Sequence, residues 1–139
     1  MPANTNPIFG LVPQVGFARL AAANTARDGS GTTETVFTAA TNGSLCLKVT
    51  FTSATAAVGA SALKVVRVFV TDTAGINPRL YKEALLPLIT SSNTVIGSTV
   101  TITFTDGLVL KSGQLIRVSQ SIYGSAVDQT DVVAEGSDY

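Results

Sequence analysis

The sequence predicts an all-β protein: a single antiparallel β-sandwich, jelly-roll-like, with an extended N-terminal arm. About seven to nine short runs of β-forming residues recur at intervals of about 8–15 residues, a spacing typical of sandwiches and barrels. Two of these runs alternate between apolar and polar residues, and Thr, Ser, Ala, Val and Gly are abundant along the chain. We therefore divide the chain into the arm, residues 1–14, and one β-sandwich domain, residues 15–139.

The composition excludes most kinds of site chemistry. The 139 residues include nine Lys and Arg, nine Asp and Glu, one Cys, no His and no Trp. Without His there can be no Ser-His-Asp triad, and a single Cys allows neither an intrachain disulfide nor a thiolate zinc cluster. The zero net charge offers no basic surface for nucleic acid, and no apolar run approaches the ~20 residues of a membrane-spanning helix. We expect no enzyme activity, cofactor, metal, nucleic acid or membrane partner, and the first residues lack the features of a signal peptide.

Residues 2–14 are interpreted as an extended arm. Its prolines remove backbone donors and favour extended conformations in the residues before them, so that the arm could span about 40 Å. Its large apolar side chains are unusual for a solvated tail. Two placements stay open: the arm docks on a neighbouring molecule, or it folds back along its own sheet. The residues concerned are Pro2, Pro7 and Pro13, with Ile8, Phe9, Leu11 and Val12 between them.

The first half of the domain contains the clearest strand pattern. Strands at 15–20 and 32–39 are separated by a loop at 24–31, and Asn42-Gly43 is a strong turn signal. Residues 45–52 then alternate, which predicts a half-buried antiparallel strand. Cys46, on its other face, has no His to activate it and is interpreted as a small packed side chain. The face predicted to enter the core comprises Leu45, Leu47, Val49 and Phe51.

The most apolar run, residues 62–72, predicts a central strand whose register is open. Its inward residues are either the set that contains Leu63, Val65, Arg67 and Phe69 or the set that contains Lys64, Val66, Val68 and Val70. We favour the second set because it keeps the Arg67 guanidinium out of the core. The next run, residues 79–89, fits either a short helix that ends at Pro87 or a strand.

The last third of the chain contains a second alternating strand at 99–105. Asp106-Gly107 predicts a turn, and a Gly turn then separates residues 108–110 from a strand over 115–118, as in the late hairpin of many jelly rolls. A final strand is predicted over 130–135. These strands contribute Val100, Ile102, Phe104, Ile116 and Val118 to the predicted core.

The polar residues give only weak signals of chemistry. The acidic residues are candidates for a glycosidase dyad, but most lie in predicted turns, where Asp commonly bonds its own backbone. The run Asp128–Asp131 is considered as a calcium ligand set and interpreted as a solvated turn. Gly29-Ser30-Gly31 lacks the Lys and the following helix of a phosphate-binding loop. The terminal Tyr139 is either held by a partner or frayed.

Three stretches resemble a group of small tailed-bacteriophage virion proteins. They are residues 4–9 (NTNPIF), residues 23–44, which begin ANTARDGSGT and end in NGS, and the closing residues 136–139 (GSDY). The similarity is to decoration, or cement, proteins, which sit outside an icosahedral head. It implies a structural protein of the virion, at the capsid surface, assembled in the bacterial cytoplasm as a homotrimer that binds the major capsid protein.

The low charge independently indicates a partner. Only 13% of the residues are charged, against about 25% in an average soluble domain, so a symmetric oligomer or lattice would bury the excess apolar surface. The alternative function is a head-fibre or tail-associated adhesin module that binds host-surface carbohydrate. The residues predicted to form the subunit or capsid interface are Pro7, Ile8, Phe9, Leu11, Val12 and Tyr139.

Overall fold

The computed structural model describes residues 12–54, 59–61, 63–92, 94–122 and 128–139, and this part of the chain contains strands and no helix. The all-β prediction is confirmed. The run at 79–89, which fitted a helix or a strand, is a strand over most of its length. The ten strands are β1 (Val12–Leu20), β2 (Glu34–Thr38), β3 (Ser44–Ser53), β4 (Gly59–Ser61), β5 (Lys64–Val70), β6 (Arg79–Leu86), β7 (Ile89–Ser91), β8 (Thr99–Leu110), β9 (Leu115–Gln120) and β10 (Thr130–Asp138).

The strands form two four-stranded antiparallel sheets that pack as a sandwich. Sheet A has the order β1-β10-β3-β8, sheet B has the order β2-β9-β5-β6, and β4 pairs with β7 in a small separate ribbon. Counting only the eight strands of the two main sheets, consecutive strands alternate between the sheets except at one hairpin, and the first strand pairs with the last. This is the double Greek-key order of a jelly roll. The jelly-roll-like sandwich expected from the sequence is therefore the observed fold.

The start of β1 does not match the boundary drawn after Gln14. Val12, Pro13 and Gln14 pair with Asp138, Ser137 and Gly136 of β10, so they belong to sheet A. Proline is tolerated there because β1 is an edge strand. Residues 1–11, which include Pro7, Ile8, Phe9 and Leu11 of the predicted interface, lie outside the described residues.

The core lies between the inner faces of the two sheets. Phe51, Val49, Ile116 and Val118 are fully buried, Ile102 and Phe104 nearly so, and Val100 packs against them partly buried. Burying each of these large side chains is worth about 1.5–3 kcal/mol. The core residues that sequence alternation did not single out include Leu20, Val36, Phe37, Leu86, Leu110, Val132 and Ala134.

A β-bulge overturns the predicted placement of Leu45 and Leu47. The register of β3 shifts between Cys46 and Lys48 against β8, and the facing strand β10 shifts between Glu135 and Gly136. The extra residue reverses the inward and outward alternation, so that Cys46 is fully buried while Leu47 is 47% exposed. Leu45, on the outward side of the bulge, is only half-buried.

The predicted turn at Asp106-Gly107 is also wrong. Both residues lie inside β8, with φ of 61° and 81°, where the strand carries extra residues opposite β3. The left-handed backbone kinks the strand without ending it. The turn that follows, at residues 111–114, leads into β9 as predicted, with Gln114 N–H donating to Lys111 C=O at 3.1 Å.

Candidate interaction surface

Both ends of the domain meet at one end of sheet A. Val12 opens β1 opposite Asp138, and the backbone N–H of Tyr139 donates to the Gly43 carbonyl at 3.2 Å. The Asp138 carboxylate accepts a hydrogen bond from Ser44 Oγ at 2.5 Å. The backbone of Tyr139 is therefore held by its own fold and is not frayed.

A groove lies beside Tyr139, and we call it the terminal groove. Its lining consists of Asn42, Val109, Leu110 and Tyr139, around a volume of about 470 Å³. Val109 is 63% exposed, and Gly43 lies under the ring of Tyr139 with φ of 93°. A Cβ at Gly43 would come within 2.8 Å of the Leu110 carbonyl oxygen, so only glycine permits this close approach. Val12 is at the same end of the sheet, so residues 1–11 join the domain here.

A second apolar region lies on the outer face of sheet A, and we call it the apolar stripe: Val15, Phe17 and Val133. Phe17 is 73% exposed and pairs across the sheet with Val133, while Val15 is 51% exposed. Phe17 was not predicted from the sequence. A signal was present, because β1 alternates these large residues with Gly16 and Ala18. Ala18 packs against the core, and Gly16 faces β2, where a Cβ would lie 1.7 Å from the Val36 carbonyl oxygen.

Polar groups surround the apolar stripe. Arg19 Nε and Asp131 Oδ1 are 2.6 Å apart on one side, and Lys48 Nζ and Glu135 Oε2 are 2.7 Å apart on the other. The hydrogen bond to Asp131 raises the pKa of Arg19, which is already a permanent cation. Beyond Val133 the face is covered by exposed threonine pairs, such as Thr50 with Thr101 at 3.1 Å. An apolar centre with a polar rim is the usual anatomy of a protein interface.

Two exposed carboxylates, those of Asp28 and Asp72, hold turns, as the sequence predicted. Ser30 donates both its hydroxyl and its backbone N–H to Asp28, which lowers the pKa of Asp28. Asn77 donates to Asp72 and lowers its pKa in the same way. Within the described ranges, no group of three or more His, Cys, Asp or Glu could hold a metal ion. These carboxylates act on loop geometry.

The burial of Asp128 contradicts the prediction that residues 128–131 form a solvated turn. Its side chain is 2% exposed and its Oδ1 accepts from Lys64 Nζ at 2.7 Å. Lys64 lies on the inward face of β5, as the favoured register required, and is itself fully buried. Sequence reasoning missed this pair because nothing local relates two residues 64 positions apart.

Arg67 points away from the sandwich interior, as expected, yet it is buried. Its Nε donates to Glu83 at 2.8 Å and its Nη1 donates to the Asn24 carbonyl at 2.9 Å. Arg27 donates to the same carboxylate at 2.6 Å. The Arg67 hydrogen bond is the main cause that lowers the pKa of Glu83. The segment 21–33 is thereby fastened over the outer face of sheet B.

Cys46 is a packed side chain, as predicted. It is fully buried, and burial raises the pKa of its thiol to about 12. Because the thiolate is the reactive form, this cysteine is chemically inert in the native protein.

The fold is weakly similar to that of a solved viral structure. A solved structure titled "Structure of infectious bursal disease virus Gt strain" is 17% identical, with a TM-score of 0.30; the match covers 99% of this chain and 35% of that chain. The chain thus spans about a third of the length of the viral protein that it matches. No family model matches the chain, and no curated protein matches it. In the described part of the chain, no helix is long and apolar enough to cross a membrane.

Proposed function

We propose that this protein is a structural virion protein that binds the outside of a phage capsid and stabilises it as a decoration, or cement, protein. The observation that carries the proposal is the exposure of two apolar regions, the terminal groove and the apolar stripe, on one sheet of a domain with few charges. Exposed apolar surface rimmed by polar groups marks a contact with another protein. Jelly rolls are a frequent architecture of viral capsid domains, which is compatible with this role. In this proposal the protein has no catalytic role.

The proposal assigns different partners to the two apolar regions. The apolar stripe forms the contact between copies of the chain in a homotrimer, an oligomeric state that comes from the family resemblance. The arm and the groove beside it bind the major capsid protein, with Ile8 and Phe9 as the anchoring side chains. Large apolar anchors of this kind dominate interface energies. The arm leaves the domain at Val12, at the same end of sheet A as the groove.

Binding to undecorated capsids tests the proposal. Purified full-length protein is mixed with shells of the phage that encodes it, and the bound fraction is measured after sedimentation. A deletion of residues 2–11 keeps all of β1, so its thermal midpoint should equal that of the full chain while shell binding is lost. A Val109→Ser variant should weaken binding, whereas Thr101→Ser, on the same sheet face, is the matched control and should bind normally. A truncated protein that loses stability and still binds shells would show that the arm belongs to the fold.

Light scattering tests the oligomeric state separately. At micromolar concentration the full chain should elute with a mass of three times its 14.3 kDa. A single-chain mass together with isolated copies on the particle would reject the trimer.

The second candidate is the adhesin module, which one observation favours. A shallow polar cleft of about 440 Å³ is lined by Asp28, Ser30 and Asn77 from two loops and by Arg79 at the start of β6. Carboxylate, amide and guanidinium groups can bind sugar hydroxyls, and jelly rolls also serve as lectin domains. A glycan array with the full-length protein tests this candidate. Specific binding that an Arg79→Ala variant loses would favour it, and an array without binding would set it aside.

A further inference from the structure

The buried contact between Lys64 and Asp128 joins the two sheets of the sandwich. Lys64 starts β5 in sheet B, and Asp128 lies two residues before β10 in sheet A. Their side chains are 0% and 2% exposed, and Nζ lies 2.7 Å from Oδ1. Gln120 and Thr130 belong to the same cluster, and both are fully buried. Solvent is therefore excluded from an amine and a carboxyl group that touch.

Burying an ion pair in this position costs hydration free energy, and an amide would avoid that cost. Two charges removed from water lose several kcal/mol of hydration each, which their mutual attraction only partly offsets. An amide carries no charge and still hydrogen-bonds. The same packing holds the amine against the carboxyl group, and such fixed proximity replaces a bimolecular encounter by a unimolecular step. Exclusion of water also opposes the reverse reaction, hydrolysis.

We propose that Lys64 and Asp128 form an intramolecular isopeptide bond. Proton transfer from Nζ to the carboxylate gives a neutral amine and a neutral acid. The Nζ lone pair then attacks Cγ, a C–N bond forms, one Cγ–O bond breaks, and that oxygen leaves with two protons as water. The overall change is –NH₃⁺ plus –COO⁻ to –NH–CO– plus H₂O, which balances in atoms and charge and needs no oxidant or co-reactant.

Two neighbouring polar groups, Thr130 and Gln120, contact the Lys64 amine. Thr130 Oγ1 lies 3.3 Å from Lys64 Nζ, and its hydroxyl donates to Gln120 Oε1 at 2.7 Å. A hydroxyl both donates and accepts, so Thr130 can accept a proton from the attacking nitrogen. Gln120 Oε1 also accepts from Nζ at 3.3 Å, while Gln120 Nε2 donates to the Leu20 carbonyl at 3.3 Å. Gln120 thus orients the amine, and Thr130 is the candidate proton carrier.

The intact mass of the full-length protein under denaturing conditions tests the bond. The wild-type chain should weigh one water molecule less than its sequence, and protease digestion should release a branched peptide that joins Lys64 to Asp128. Lys64→Arg should restore the full mass. Lys48→Arg, in an exposed ion pair of the same length, is the matched control and should keep the loss.

Further measurements distinguish the isopeptide bond from another reaction that loses water and from a failure to fold. A succinimide at Asp128 would also lose one water, but it would persist in Lys64→Arg, and that result would overturn the proposal. Thr130→Val should slow the reaction, leaving a measurable fraction at full mass, whereas equal conversion would remove Thr130 from the mechanism. If Lys64→Arg does not fold, the branched wild-type peptide decides alone. A folded wild-type chain at full mass, without that peptide, overturns the proposal.

Discussion

The outer faces of the two sheets differ in what covers them. On sheet B, the segment 21–33 crosses the face and is fastened by Arg67, which bonds both Glu83 and the Asn24 carbonyl. Strand β5 is consequently buried on both faces, and Phe69 is fully buried outside the main core cluster. On sheet A, no segment of the described chain bonds across Phe17, which stays 73% exposed. The chain itself covers the centre of the outer face of sheet B, whereas the outer face of sheet A keeps an exposed apolar stripe.

The charged residues of the two sheets also differ in their burial. On sheet A the ion pairs are exposed and surround an open apolar stripe, where such pairs contribute little to stability. On sheet B, Lys64 and Arg67 are buried and fully partnered, which makes each of them costly to remove. Substitutions at these residues should therefore have different effects. Replacing Lys64 or Arg67 in sheet B should lower the free energy of unfolding, whereas replacing a residue of the apolar stripe in sheet A should weaken association.

The largest effect is expected at the buried pair. Asp128→Ala leaves the Lys64 amine buried without its carboxylate, so the free energy of unfolding should fall by about 3–5 kcal/mol. Urea denaturation followed by circular dichroism measures the change. The control is Asp131→Ala, three residues further on, which removes an exposed pair and should change the unfolding free energy much less. Equal losses in the two variants would contradict the assignment of a buried, stability-bearing pair.

The next largest loss of stability is expected where the segment 21–33 covers sheet B. Arg67→Met removes the hydrogen bonds to Glu83 and to the Asn24 carbonyl, and it should cost about 2 kcal/mol, the range for hydrogen bonds to charged groups. Amide hydrogen exchange should accelerate in the segment 21–33 and leave sheet A unchanged. Uniform acceleration in both sheets would mean that the segment does not depend on Arg67.

The ion pairs of Glu83 make part of this stability depend on pH. The folded pKa of Glu83 lies below its ordinary value of 4.5, chiefly because of the hydrogen bond from Arg67. The stabilisation is therefore fully present above pH 4.5 and is lost as pH falls through the folded pKa. The stability difference between the wild type and Glu83→Gln should shrink as urea titrations move from pH 6 toward pH 3. A difference that does not vary with pH would contradict this assignment.

The smallest effect on stability is expected on sheet A. Phe17→Ser should change the unfolding free energy by no more than about 0.5 kcal/mol, because the ring is already in water. Its effect should appear in association, as a lower mass in light scattering. Thr101→Ala, on the polar half of the same face, should keep the oligomer. A Phe17→Ser protein that associates like the wild type would separate the apolar stripe from the subunit contact.

The sequence by itself determined the fold class and much of the core. Alternation along 99–104 placed Ile102 and Phe104 correctly, and turn signals such as Asn42-Gly43 separated strands, because both depend only on residues close together in the chain. The sequence also predicts interface residues, and two of them, Val12 and Tyr139, lie at one end of sheet A.

Only the tertiary structure decided the exceptions to that pattern. The bulge at Leu47 depends on the two strands that flank β3, and it reverses which side chains face the core. Lys64 and Asp128 are buried because they pair with each other, although they lie 64 positions apart in the sequence. Phe17 faces outward because Gly16 must approach the Val36 carbonyl. In each case the deciding contact is made by residues distant in the chain, so local alternation could not reveal it.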